Sequence, residues 1–372
     1  MRKPLYALAI SLPLTALILV AGLTFGRAGG AHAAAVCTPT GYMRDNINMT
    51  AAIINPTSIV RSRVNATGCN IGVYYGPGST GTVNGAEIFG ANYFGVVNNG
   101  GTVTVTHARI HDIGESPFNG DQHGVGIYFV DGSSAKGKIN ANIVWSYQKG
   151  GIVVNGIGSQ ATITNNIVIG NGPVDYIAQN GIEVGDGSTT TVTANIVAGN
   201  SYTGSGLASS GGILLWGGSC YGAAVTTNTV ISGNTLIGND VGVYLSNLDT
   251  DPNNANNCIP TATTTTDTAS KNVISNDAVT NTSGYGTAGS GYQAGVSDQG
   301  TSDKIISNNI CGVGYTPVTP PPYLYYIDVT ATNTPFESGN TTCSGANPLI
   351  VSHAQSIASR AHLSAARISA VR

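Results

Sequence analysis

The chain has 372 residues, of which 41% are hydrophobic, 9% charged and 7% aromatic. A charged fraction so far below the usual figure of about 25% excludes a coiled coil, a long-helix protein and a charged disordered tail, and the apolar content excludes disorder. Gly occurs 51 times with no Gly-X-Y period, which excludes collagen and, with abundant Asn, Thr, Val and Ile, predicts β-structure rich in tight turns.

At the N-terminus, Arg2 and Lys3 precede an apolar run from Leu5 to Phe25 and the small-residue stretch Gly29-Gly30-Ala31-His32-Ala33. This order predicts a secretory signal over residues 1–33 and an extracellular protein. The run is also long enough to span a bilayer, so an uncleaved anchor is the competing reading, whereas Val36 directly before Cys37 argues against a lipid anchor. Removing Arg2, Lys3 and Arg27 leaves 12 bases against 18 acids, a net charge of −6. That balance argues against nucleic acid or an anionic membrane as partner.

All six cysteines (Cys37, Cys69, Cys220, Cys258, Cys311, Cys343) follow the signal. An even count in an oxidising compartment predicts disulfides, and the absence of any C-x-x-C pair argues against zinc. Six cysteines allow about 15 pairings. Pairing of neighbours would close three loops, each stabilising by roughly 3 to 4 kcal/mol. Residues 34–70 read as an N-terminal cap, with Cys37 and Cys69 as its staple.

The next stretch repeats. Gly126-Ile127-Tyr128-Phe129, Gly151-Ile152-Val153-Val154, Gly181-Ile182-Glu183-Val184, Gly212-Ile213-Leu214-Leu215 and Gly242-Val243-Tyr244-Leu245 follow an earlier copy, Gly95-Val96-Val97, with the starting glycines 25 to 31 residues apart. Each unit continues through a Thr-Val-Thr-like strand (Thr102 to Thr106, Ala161 to Thr164, Thr191 to Thr193). An Asn-centred turn and a third strand follow, as in Asn142-Ile143-Val144, Asn166-Ile167-Val168, Asn195-Ile196-Val197 and Asn234-Thr235-Leu236. A unit of three short strands cannot bury its own apolar face, but identical units stacked about 4.8 Å apart bury a continuous core. Asn166, Asn195 and Asn234 therefore read as turn residues bonding the backbone of adjacent coils, not as catalytic groups. Further on, Asp249 to Ser270 reads as a long loop, Pro317 to Pro322 as a break in β pairing, and His353 to Arg372 as a frayed tail in the first place, with a surface helix and a cell-envelope contact as the other readings.

The Gly-Ile-x-Val and Asn-Ile-Val-x-Gly-Asn units, over Ile71 to Cys311, resemble the coils of right-handed parallel β-helix proteins of the pectate-lyase-like superfamily. The resemblance implies an all-β fold, a single-stranded right-handed parallel β-helix over 71–314 with an irregular C-terminal extension over 315–372. It implies no one activity, since that superfamily spans polysaccharide lyases, glycoside hydrolases, epimerases, phage tailspikes and non-catalytic surface proteins. The superfamily's calcium sites, arginine motifs and paired Asp-Asp are not evident in this sequence, although His123-Gly124 is similar to the His-Gly element of polygalacturonases.

Strand alternation turns Ile127, Ile152, Ile182, Ile213 and Val243 inward, so Tyr128, Val153, Glu183, Leu214 and Tyr244 form an outward column. Two positions further come Val130, Asn155, Gly185, Trp216 and Ser246. Aromatic faces around one carboxylate suit stacked sugar rings, and a groove across parallel strands suits an extended polymer. The plain reading is a solenoid surface with scattered aromatics. Glu183 is the one acid of the first column, with Asp186 and Asp131 at equivalent turn positions about 9.6 Å apart along the axis. Inverting glycosidases hold two carboxyls about 6.5 to 9.5 Å apart, but Asp131-Gly132 and Asp186-Gly187 are also routine turn dipeptides.

The densest polar cluster is His107 to His123, with Arg109, His111, Asp112, Glu115 and Asp121 around the insertion Gly114 to Gln122. His107 and His111 match no zinc motif. For elimination, Lys149, His123, Arg109 and Tyr128 are the groups at hand, one neutralising a uronate and one removing its α-proton. The candidate catalytic residues are thus Glu183, His123, Lys149, Asp186 and Asp131, and the candidate binding residues Tyr128, Trp216, Tyr244, Arg109 and Asn155. No metal ligand set or cofactor is identified, with calcium the one ion left open. The reading is a secreted monomer that engages polysaccharide or cell-envelope glycan, with no membrane contact after signal cleavage. It acts as a glycoside hydrolase or polysaccharide lyase, or else as a non-catalytic adhesin or carbohydrate-binding protein.

Overall fold

Three β-branched segments per unit become three strands per coil, and equivalent strands pair side by side into three parallel sheets. The structure is a computed structural model that describes residues 35–130, 135–204, 208–275, 292–312, 323–329, 336–344 and 347. Among these, sheet A holds 12 strands, sheet B 9 and sheet C 10. Sheet A begins with an antiparallel pair, Thr38–Arg44 and Ile47–Ile54, then runs in parallel from Ile71–Tyr75 through Val125–Val130, Gly150–Asn155, Asn180–Gly185 and Gly211–Gly217 to Tyr323–Val329. Sheet B runs from Thr80–Asn84 to Phe336–Ser338, and sheet C from Val64–Asn65 to Thr341–Ser344.

The register matches the expected stacking. Ile127, Ile152, Ile182, Ile213 and Val243 are successive partners, and so are Tyr128, Val153, Glu183, Leu214 and Tyr244. The first series is fully buried and belongs to one continuous apolar core. The glycine before each of these core residues serves close approach rather than a left-handed turn. A Cβ on Gly126 would lie 2.5 Å from Val144 Cγ1 and 2.7 Å from the carbonyl oxygen of Gly151, so only hydrogen fits where sheet C meets sheet A.

The asparagines form a ladder between sheets B and C. The Nδ2 of Asn142 donates to Asn166 Oδ1 at 2.9 Å, and the pattern continues through Asn195, Asn234, Asn272 and Asn308 to Asn340 at 2.9 to 3.1 Å. Each Oδ1 also accepts the backbone N–H of the preceding asparagine, and each Nδ2 donates to a carbonyl one coil back, as Asn195 does to Ile163. The residue before each rung is left-handed, with φ of 56° at Ala141, 57° at Asn165, 55° at Ala194 and 56° at Lys271. Such a conformation costs a non-glycine residue roughly 1 to 2 kcal/mol. The amide ladder holds it in place.

The helix covers more chain than 71–314. Parallel pairing starts where Ile47–Ile54 meets Ile71–Tyr75 and persists to Thr341–Ser344, because strands on both sides of the expected limits keep the register. The segment Asp249 to Ser270 is a loop only over residues 261–267. The strand Val241–Asp251 continues past the sheet and Asn254–Pro260 folds back on it antiparallel around the Asp-Pro-Asn-Asn turn. The three disulfides join neighbours, Cys37–Cys69, Cys220–Cys258 and Cys311–Cys343. Residues 1–33, expected as a secretory signal, lie outside the described residues, as do Pro317 to Pro322 and the segment from His353.

The N-terminal hairpin does more than cap the core. Its Tyr42, Met49 and Ile54 join Tyr74, Phe94, Val97, Tyr128 and Val153 in a second apolar cluster on the outer side of sheet A. In the last coils, Asp267, Asp298 and Asp303 are buried. Burial and the neighbouring Asp298 push the Asp303 carboxyl up to about 8, and Asp303 Oδ1 accepts hydrogen bonds from Thr265 Oγ1 and the Asp267 backbone.

Asn195→Ala is expected to lower unfolding free energy by about 3 kcal/mol in urea titration, since it orphans amide groups of both neighbouring rungs; a loss under about 1 kcal/mol would show that water replaces the rung. Because the folded-state pKa of Asp303 is raised, its contribution is fully present below the ordinary carboxylate value and is lost as pH rises towards 8. Asp303→Asn should therefore raise the thermal midpoint relative to wild type more at pH 8 than at pH 5, read by calorimetry.

Candidate functional site

Strand Asn180–Gly185 carries Glu183 outward between Val153 and Leu214, its register partners. Glu183 Oε1 accepts the indole N–H of Trp216 at 2.9 Å, and Oε2 accepts Nδ2 of Asn180 at 3.1 Å. The indole lies over Gly185, its register partner, where a Cβ would come within 2.1 Å of Nε1. A missing side chain on one strand thus makes the seat for the ring on the next. Tyr221 meets the edge of that ring at 5.7 Å and 72°, and its hydroxyl is 2.6 Å from Ser246 Oγ. At 45% exposure, Tyr221 is an open aromatic face that sequence reasoning missed. It stands next to Cys220, whose disulfide to Cys258 ties this turn to the projecting hairpin. The available signal was Tyr beside a paired cysteine.

Lys149 lies one coil earlier, half-buried, with Nζ donating to the Ala178 carbonyl at 2.9 Å. Burial pulls its amine pKa down, opposed by the charge of Glu183, so the two groups feel each other across the face. Tyr128 extends the column, but it is only 5% exposed, because the N-terminal hairpin packs over this end of the sheet. Its hydroxyl accepts a hydrogen bond from Arg44 Nη1 at 3.5 Å across 84 residues of sequence, and Asn155 also bonds it. Burial raises the Tyr128 pKa, with Glu183 adding to the rise and Arg44 opposing it. The Oδ1 of Asn155 is buried with no partner among the described residues. Arg44, absent from the sequence-derived set, meets the column at its covered Tyr128 end.

Other expected members lie elsewhere. Arg109 is exposed on sheet C, in register with Glu87 and Ile143, on a different face of the coil. Asp186 has φ 51° and accepts the Ala224 N–H at 2.8 Å, the turn role of its Asp-Gly dipeptide. Asp131 lies outside the described residues. Tyr244 is half-buried at the far end of the column, its ring 6.5 Å from Tyr292 and its pKa pushed up to about 12 by burial. His123 is buried in the loop before strand Val125–Val130, with Nε2 2.9 Å from Glu115 Oε1. The histidine cluster divides. His111 sits between Phe89 and Trp145 at 5.4 and 4.3 Å and bonds Asp112 and Glu87, while His107 bonds Thr106 at the surface.

Around Glu183 the face therefore offers one carboxylate fixed by two donors, one amine with lowered basicity and an indole with an adjoining phenol, while the Arg44 guanidinium stands at Tyr128, two register positions away. The two-carboxylate geometry of glycoside hydrolysis is not assembled by Asp186, whose oxygen is engaged in its turn.

Residues 50–230 match the family model of the right handed beta helix region. Among solved structures, a mutant of DFA-IIIase from Arthrobacter chlorophenolicus in complex with DFA-III is 11% identical, with a TM-score of 0.41 over 74% of this chain and 62% of that one. The Dettilon tailspike protein is 15% identical, with a TM-score of 0.38 over 79% of this chain and 55% of that one. The chain spans about six-tenths of the length of the first structures it matches. No curated protein matches its sequence. The stacked parallel sheets and the family match together make this chain a right-handed parallel β-helix protein.

A lysine whose folded-state pKa is lowered is charged more readily in the unfolded chain, so its burial penalises the fold below that pKa and the penalty vanishes as pH approaches the ordinary lysine value. Lys149→Met should raise stability near neutral pH and flatten the wild-type gain between neutrality and about pH 10.4, measured by denaturant titration. Equal slopes for both proteins would show that the amine is freely hydrated.

Proposed function

We propose that the outer face of sheet A, from Lys149 past Glu183 to Trp216 and Tyr221, binds an extended carbohydrate polymer. The observation that carries this reading is the coupling of Glu183 to the Trp216 indole, which turns a flat apolar ring and an acceptor carboxylate toward one ligand position. Sugars present an apolar C–H face and a rim of hydroxyls, and an aromatic ring beside a fixed carboxylate meets both. Parallel strands about 4.8 Å apart set a repeat close to the rise of one sugar unit. The polymer would then lie along the helix axis. Three disulfides and the leader-like N-terminus support an extracellular setting. Among the described residues no helix is long and apolar enough to cross a membrane.

If the site also turns substrate over, elimination fits its groups better than hydrolysis. Burial favours the neutral amine of Lys149, which can take the proton α to a uronate carboxyl. The glycosidic oxygen would leave with a proton from solvent as the ring double bond forms.

Trp216→Ala is expected to weaken binding of the recognised glycan about tenfold in a glycan array followed by calorimetry, with no change in thermal midpoint beyond a few degrees. Undiminished binding in that variant would remove this face as the site. Turnover yielding unsaturated uronates, lost in Lys149→Ala and kept in Glu183→Gln, would establish elimination; reducing ends lost in Glu183→Gln would establish hydrolysis instead.

A further inference from the structure

Beside the Lys149 end of that face, where the Lys149 N–H donates to the Gly124 carbonyl, the insertion before strand Val125–Val130 gathers an imidazole and two carboxylates. Glu115, Asp121 and His123 each present one ligand atom, and the three atoms lie within 4.8 Å of one another. They come from positions 115, 121 and 123, a spacing that matches no metal motif in sequence, and folding of the loop brings them together.

The loop is built rather than loose. A single buried glutamine, Gln148, accepts the backbone N–H groups of Glu115 and Asn119 through Oε1, and donates through Nε2 to Asn119 Oδ1 and the Asp121 carbonyl. The His123 ring is 8% exposed and stacks on Tyr93 at 3.8 Å, which fixes its plane. Outer partners orient both acids. Asn92 Nδ2 donates to Glu115 Oε1 at 3.3 Å, and Asn119 Nδ2 donates to Asp121 Oδ2 at 3.0 Å. An isolated His–Glu pair would account for Glu115 and His123, but it leaves unexplained why a second carboxylate is held beside them.

We propose that Glu115, Asp121 and His123 bind one late first-row divalent cation, zinc or its cobalt surrogate, with water completing the shell. Imidazole nitrogen with two carboxylates suits such ions, whereas calcium and magnesium take oxygen ligands alone. Tetrahedral zinc with bonds of about 2.0 to 2.2 Å sets neighbouring donors roughly 3.3 Å apart. The Glu115–His123 pair, 2.9 Å apart, therefore opens by only a few tenths of an ångström when the ion replaces the shared proton. Three protein ligands leave one position open to solvent, on the exposed side where Asp121 stands.

The test uses the untagged, chelator-treated full chain, titrated with Zn2+ by calorimetry and with Co2+ by visible absorption. One ion per chain is expected, together with a cobalt band that disappears in His123→Ala and Glu115→Gln and persists in His111→Ala. Asp121→Asn should weaken binding at least tenfold, and excess Ca2+ or Mg2+ should not compete. Glu115→Gln keeps the side chain's shape and a hydrogen-bonding partner for His123, so circular dichroism will confirm that it folds. No binding by the folded wild type, binding undiminished in Glu115→Gln, or equal competition by Ca2+ would each overturn the proposal, the last by assigning the site to an oxygen-ligand ion.

Discussion

Side-chain amides stacked from coil to coil are the interaction on which the rest of this molecule depends. Asn142 through Asn340 bond one another and the backbone on both sides, so each rung is positioned by the one before it. Inside the protein such a chain is worth more than its separate bonds, because an unpaired amide there would carry its full desolvation cost. The ladder also holds left-handed residues that are not glycine, such as Ala141 and Ala194, at the corner between sheets B and C. With that corner fixed, the glycine column can approach the next coil closely enough for Ile127 and its register partners to stack.

Function on such a scaffold is confined to what the stacked core does not use. Inward positions are committed to apolar side chains, chiefly isoleucine, valine and leucine, so chemistry falls to the outward column and to loops that leave the coil. The Glu183 site uses the first. A ring on one strand lies over a glycine on its neighbour, and the carboxylate beside it receives the indole N–H. The Glu115–His123 loop uses the second, anchored by Gln148. The two sites rest on the same strand register yet share no side chain.

Much of this was legible in the residues. The repeat placed the inward and outward columns correctly, and it assigned Asn166, Asn195 and Asn234 a structural role that their hydrogen bonds bear out. Arg109 was misplaced because proximity in sequence to His111 and His123 says nothing about which face of a coil a residue occupies; its register with Ile143 sets it on sheet C. Alternation puts Tyr128 in the outward column, but it reports only which side of the sheet a residue takes. Whether another segment covers that side is a separate matter, and here the Tyr42–Ile54 hairpin does.

What the amino-acid sequence determined by itself was everything periodic: the strand repeat, the alternation of faces, the composition of the core and the even cysteine count. These follow from local rules, since pleat, turn preference and burial act on residues close in sequence or one repeat apart. Only the tertiary structure decided which non-repeating segments meet. Arg44 reaches Tyr128 over 84 residues, Tyr221 joins Trp216 through a turn held by Cys220–Cys258, and Asp121 is folded back toward His123. Contacts of that kind depend on loop paths and on the hairpin's landing place, and no period in the chain encodes either.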